Sequence, residues 1–164
     1  MRAFVLAMII LAFPIATAVF AAALATSETG EHSLGHDPVR VSLNLPDAAS
    51  LDAAERLRVV IEGLRLVRPG AVYQVYLNLP EGHEPDPRGF HYLGHVSLFG
   101  KVRDEDRGSR RSFDVTEQIR ALRDRGEWTG EVELTFVRGN PEPALEKVGS
   151  EEFLRFSRIS IVGR

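Results

Sequence analysis

The chain has 164 residues, 44% of them hydrophobic and 26% charged, with a formal net charge of −3, which fits one ordinary globular domain. It has no cysteine, so a disulfide framework, a thiolate zinc site, an iron–sulfur cluster, a cysteine nucleophile and a lipoprotein anchor are excluded. Twenty basic against 23 acidic residues leave no positive surplus for a phosphate backbone, and no nucleic-acid partner is expected.

After Met1 and Arg2, residues 3–25 carry no charge. As a helix this run would span about 34 Å, enough to cross a hydrocarbon core of about 30 Å. Ala23-x-Ala25 fits the small-residue cleavage pattern of a signal peptide, whereas the length exceeds a typical secretory apolar region and suits an anchor. Residues 1–25 are therefore expected to be a hydrophobic N-terminal helix, either a signal peptide or a membrane anchor through residues 3–25. Arg2 stays on the cytoplasmic side and Glu28, Glu31 and Asp37 follow on the other. The expected location is periplasmic or extracellular, or the outer face of the cytoplasmic membrane. Residues 26–38 are polar and turn-rich and read as a linker.

From residue 39 the pattern changes. Residues 41–45 alternate apolar and polar and stop at Pro46. Residues 57–67 are rich in Val, Ile and Leu, and Arg68-Pro69-Gly70 signals a turn before the β-branched and aromatic residues 72–79. The two runs together suggest a hairpin. A polar loop at 81–89 leads to a strand at 90–99, then a charged loop at 101–111. Asp114-Val115-Thr116-Glu117 has the form of a capping box, with Asp114 as the N-cap, and Gly126 stands where a C-cap belongs. Residues 131–137 alternate strictly, and 153–162 alternate again after a loop at 139–150. The fold class expected for 39–164 is mainly β: an antiparallel sandwich or barrel with one short helix. Residues 41–47 and 75–81 resemble each other, too briefly for a repeat protein.

Candidate chemistry is sparse. Of the five histidines, only His91 and His95 share a segment, and on a regular strand their spacing would separate the rings by about 13 Å. They are weak metal-ligand candidates, closer together only if Gly94 forms a bulge. No G-x-S-x-G, G-x-G-x-x-G or G-x-x-x-x-G-K-[ST] motif occurs. No catalytic residue and no cofactor is expected. Exposed aromatic and arginine side chains dominate interface energetics, so Arg88, Phe90, Tyr92 and Arg111, beside long loops, are the candidate partner contacts.

Taken in order, these segments resemble the C-terminal domain of the tyrosinase and polyphenol oxidase family. The resemblance is carried by Val72-Tyr-Gln-Val-Tyr-Leu-Asn-Leu-Pro80, Phe90-His-Tyr-Leu-Gly-His-Val-Ser-Leu-Phe99, Ser112-Phe-Asp-Val-Thr-Glu-Gln-Ile-Arg-Ala-Leu122 and the closing strands at 131–138 and 154–162. Val72 and Gln74 replace the Lys and Asp of the plant motif. In that family six histidines of a separate helical domain hold two coppers; five histidines and no such domain are present here. The resemblance implies a non-enzymatic, exported accessory domain serving a separately encoded tyrosinase-like copper oxidase in trans. The alternatives are a membrane-held, adhesion-like binding module with another ligand, or a small metal-binding protein using His91 and His95.

Overall fold

The computed structural model describes residues 22–27, 30–45, 51, 53–68, 71–98, 108–139 and 152–164. In chain order the elements are β1 (Ala22–Thr26), β2 (His32–Leu34), β3 (Val39–Asn44), β4 (Leu57–Leu66), β5 (Tyr73–Leu77), β6 (Tyr92–Val96), β7 (Ser109–Asp114), α1 (Thr116–Asp124), β8 (Glu131–Arg138), β9 (Leu154–Phe156) and β10 (Arg158–Gly163). All strand pairs are antiparallel.

One sheet has the order β1-β10-β4-β9-β2, with β7 on the other edge of β4; the second has the order β3-β8-β5-β6. The register simplifies the first sheet. Arg158 faces Glu62 and Arg155 faces Arg65, so β9 and β10 are one strand interrupted at Ser157 opposite Gly63. The facing sides of the two sheets supply the core: Val59, Ile61 and Leu64 from β4 meet Tyr73, Val75 and Leu77 from β5 and Val132, Leu134 and Phe136 from β8, all buried. Alternating burial in β8 follows from the two-residue period of a strand. The mainly β sandwich expected from residues 39–164 is the fold observed.

Several elements differ from the sequence reading. β4 and β5 form no hairpin; they lie in different sheets, β5 pairing with β6 and β8. Both are apolar enough to line a core shared by two sheets, so the chain crosses between layers at the turn instead of doubling back. β7 occupies residues read partly as a charged loop. Its outward residues are polar, and inward Phe113 holds it while the ladder to β4 supplies its hydrogen bonds. The segment read as a linker contains β2, in which Leu34 is fully buried and His32 stacks on Phe156 at 4.8 Å. Residues 1–21 of the expected hydrophobic helix lie outside the described residues, and from Ala22 the end of the apolar run is β1, paired with β10.

Helix α1 starts one residue later than the capping box implies. Asp114 ends β7, Val115 is the N-cap, and the Asp114 carboxylate accepts the Thr116 N–H at 3.0 Å. The C-terminus behaves as expected. Gly126 N–H donates to Arg123 O at 2.9 Å and Glu127 N–H to Leu122 O at 2.9 Å, with Gly126 at a φ of 71°. That pair of bonds satisfies the last turn's carbonyls and needs a residue tolerant of left-handed φ.

One hydroxyl ties the layers together. Tyr73 in β5 donates toward Leu34 O at 3.0 Å and Gly35 O at 2.8 Å, at the end of β2 in the opposite sheet. Burial pushes its phenol up to about 12, and Arg138 offsets that only in part. Tyr73→Phe should cost about 1–2 kcal/mol in urea denaturation at neutral pH, since the hydroxyl serves two carbonyls that stay inside the fold. The neutral phenol is favoured in the folded state, so the Tyr73 contribution is complete below pH 10.0 and is lost as pH rises toward 12. The phenylalanine variant should lack that alkaline component; identical pH–stability curves for both proteins would refute the assignment.

Candidate functional site

Three of the candidate contact residues gather at the β5–β6 end. Residues 80–88 are exposed and shaped by local turns: Asp86 Oδ1 accepts the Arg88 N–H at 2.9 Å, and Gly89 N–H donates to Asp86 O at 2.9 Å. Arg88 is therefore free of the core. Phe90 is half-buried against it, with the Arg125 guanidinium 4.2 Å from its ring centroid. Tyr92 is half-buried too, 5.5 Å from the ring of Tyr76. Burial, followed by the neighbouring Tyr92 and Asp86, holds the Tyr76 phenol above its ordinary value, and its hydroxyl donates to Gln74 Oε1 at 2.6 Å. Arg111 stands apart, on β7, where Nη2 donates to Ser97 O at 3.2 Å.

The histidines are engaged separately. His91 Nδ1 lies 2.8 Å from Leu77 O; a carbonyl only accepts, so Nδ1 is the donor in this contact. His95 is exposed on β6 opposite Gln74. A bulge lies beside Gly94: β6 slips in register between the pairs Val75–Gly94 and Tyr76–Tyr92, leaving Leu93 as the extra residue. His32 stacks on Phe156 and His36 receives Arg138 Nη1 at 2.7 Å. Among the described residues no three His, Asp or Glu side chains gather as a metal-binding group. The five histidines present do not fit a two-copper centre, which needs six converging imidazoles.

A group of residues that the sequence reading did not single out lies on the outward face of the first sheet. Arg58 of β4 is flanked by Asp114 of β7 and Val162 of β10, and in the next row Val60 is flanked by Ser112 and Ser160. Arg56 and Arg164 continue the ladder, exchanging backbone hydrogen bonds at 3.0 Å. With Arg110 they enclose a concavity of about 510 Å³. Asp114 is the one carboxylate side chain among its lining residues. The Thr116 hydroxyl donates to it at 2.7 Å and the Thr116 N–H at 3.0 Å; these bonds first, then Arg56 and Arg58, hold its carboxyl below the ordinary value. In sequence the signal was an alternation of arginines, at 56 and 58 and again near 110, on segments whose pairing is not local.

The architecture defines an antiparallel β-sandwich domain, and comparison with known proteins gives its family. Residues 22–163 match the family described as Domain of unknown function (DUF7868), and the chain belongs to it. No curated protein matches it. Among solved structures it is similar to a latent aurone synthase, a polyphenol oxidase from natural source, at 17% identity and a TM-score of 0.53, covering 80% of this chain and 25% of that one. It is also similar to latent apple tyrosinase, at 14% identity and a TM-score of 0.51, covering 82% of this chain and 28% of that one. The chain thus spans about a quarter of the length of the oxidases it matches. The resemblance to the C-terminal domain of the polyphenol oxidase family holds at the level of the fold.

Because the Asp114 pKa is lowered on folding, its contribution to stability is present above the ordinary value of 3.8 and is lost as pH falls through the lowered value. Asp114→Ala should therefore be less stable than the parent at neutral pH, with the gap narrowing in acid below 3.8. Thermal melts across that range measure it; a gap constant with pH would remove the ionised carboxylate from the account.

Proposed function

We propose that the protein is a non-catalytic accessory domain that acts in trans on a separately encoded tyrosinase-like copper oxidase, covering its entrance or assisting its folding. The observation that carries the reading is the fold match: 80% of this chain overlays about a quarter of oxidases whose structures are of the latent form. The non-catalytic part draws support from the histidines: His32, His36 and His91 are each held by a different neighbour, and His83 and His95 are exposed.

A domain inside a longer oxidase docks at high local concentration because it is tethered. A free-standing copy needs confinement or a stronger interface. Retention of the apolar N-terminal segment as a membrane anchor would supply confinement on the outer face of the membrane. β1 favours retention over cleavage after Ala25, since that cut would remove Ala22–Ala25 and leave only Thr26 of the strand on β10. For contact, Arg88 and the exposed residues 80–88 are better placed than Phe90 and Tyr92, whose rings are already covered by Arg125 and Tyr76. A second reading, a membrane-held binding module with another ligand, draws support from the arginine-lined concavity on the outer sheet face.

A pull-down from native membranes with the tagged full chain tests the first reading. Recovery of a copper oxidase, weakened by Arg88→Ala, is the expected result. Recovery of only lipids or glycans, or phenol oxidation by the purified chain with added copper, would contradict it.

A further inference from the structure

The outward concavity between β7, β4 and β10 concentrates positive charge in a chain whose formal net charge is −3. Arg56, Arg58, Arg110 and Arg164 stand around it against one carboxylate side chain, Asp114, already committed to two hydrogen bonds from Thr116. Arg110 has Glu62 at 3.7 Å, but Glu62 also pairs with Arg158 at 2.7 Å. No hydrogen bond or ion pair engages the side chains of Arg56, Arg58 or Arg164 among the described residues. Like charges on neighbouring strands repel, so an anion shared among them would relieve a cost the fold otherwise carries. The accessible apolar lining is Val162, half-buried beside Arg58, whereas Val60 is only 1% exposed. A volume of about 510 Å³ falls in the range of small-ligand sites and holds more than a single inorganic ion.

We propose that this arginine cup binds a small ligand bearing two or more oxyanion groups, carboxylate or phosphate, with its short apolar body against Val162. Guanidinium groups match both oxyanions through paired N–H donors, so the walls fix the charged ends while Val162 takes the middle. The charge balance argues for an anion, and the volume of about 510 Å³ argues for a small molecule over an extended macromolecular surface. The inference stands independently of any oxidase partner.

Calorimetric titration of the full chain with citrate, and separately with inorganic phosphate, tests it against sodium chloride matched for ionic strength. One-to-one saturable binding is expected for at least one probe. Tighter citrate binding would identify a polycarboxylate, and tighter phosphate binding a phosphorylated compound. The double variant Arg58→Ala with Arg164→Ala should weaken binding tenfold or more, and the corresponding lysine double variant, which keeps the charges, should recover part of it. Asp114→Asn keeps the acceptor oxygen for Thr116 and removes the competing charge, so it should bind more tightly. Arg88→Ala, outside the cup, should change nothing. Far-ultraviolet circular dichroism checks that each variant keeps the parent fold. Heats equal to the matched salt, saturable binding indifferent to the double variant, or binding of an acidic peptide with neither small anion bound would each overturn the proposal.

Discussion

Three stretches of backbone meet at Gly63, and the sandwich depends on that meeting. Gly63 has a φ of 70°, and a Cβ there would collide with Ser157 Oγ. From the other side, a Cβ on Gly108 would lie 2.7 Å from Gly63 Cα. Main chain therefore approaches main chain at Gly108, and on the other side the Ser157 side chain takes the place of a Cβ, which only glycine permits at this φ. The approach falls where the ladder between β4 and β7 shifts register, between Ile61 and Leu64. On its other edge β4 keeps one register past Gly63, along β10 and then β9. One strand thus serves both halves of the first sheet.

The second sheet is organised around β8, with β3 on one side and β5 on the other. The two short similar segments of the sequence are these flanking strands: Val41 and Leu43 face Leu134 and Val132, and Val75 and Leu77 face Phe136 and Leu134. Their common ending is put to use at Asn78. With a φ of 46°, it donates its amide to Glu131 O at 3.1 Å and accepts the Glu133 N–H at 2.8 Å, closing β5 against β8. Short polar side chains tolerate that backbone region better than most. Tyr73, reaching from β5 to the end of β2, then joins the layers.

What was legible in the sequence was local. The alternation of β8, the apolar run of β4 and the Gly126 stop of α1 each follow from residues within one element. What was hidden depended on pairing between distant residues. β7 shows one strong apolar residue, Phe113, and is a strand because β4 lies beside it. β2 sits in a polar segment and is held by Phe156, more than a hundred residues away. The arginine cup was missed for the same reason: Arg58 and Arg164 become neighbours only when the C-terminal strand returns to β4. Among the candidate contacts, sequence placed Phe90 and Tyr92 near loops, but only the fold shows Arg125 and Tyr76 covering them.

The same constraint links the fold to its outer surface, because the ladder that carries Arg56, Arg58 and Arg164 is the one that bends at Gly63. Comparing Gly63→Ala with Gly82→Ala isolates it. Both glycines have positive φ, 70° and 77°, but nothing lies within 4 Å of a Cβ at Gly82. In equilibrium denaturation Gly82→Ala should lose about 1 kcal/mol, the cost of the backbone conformation alone. Gly63→Ala should lose several times more, because its Cβ also collides with the Ser157 side chain. Equal losses in the two variants would contradict the dependence of the sandwich on that three-way contact.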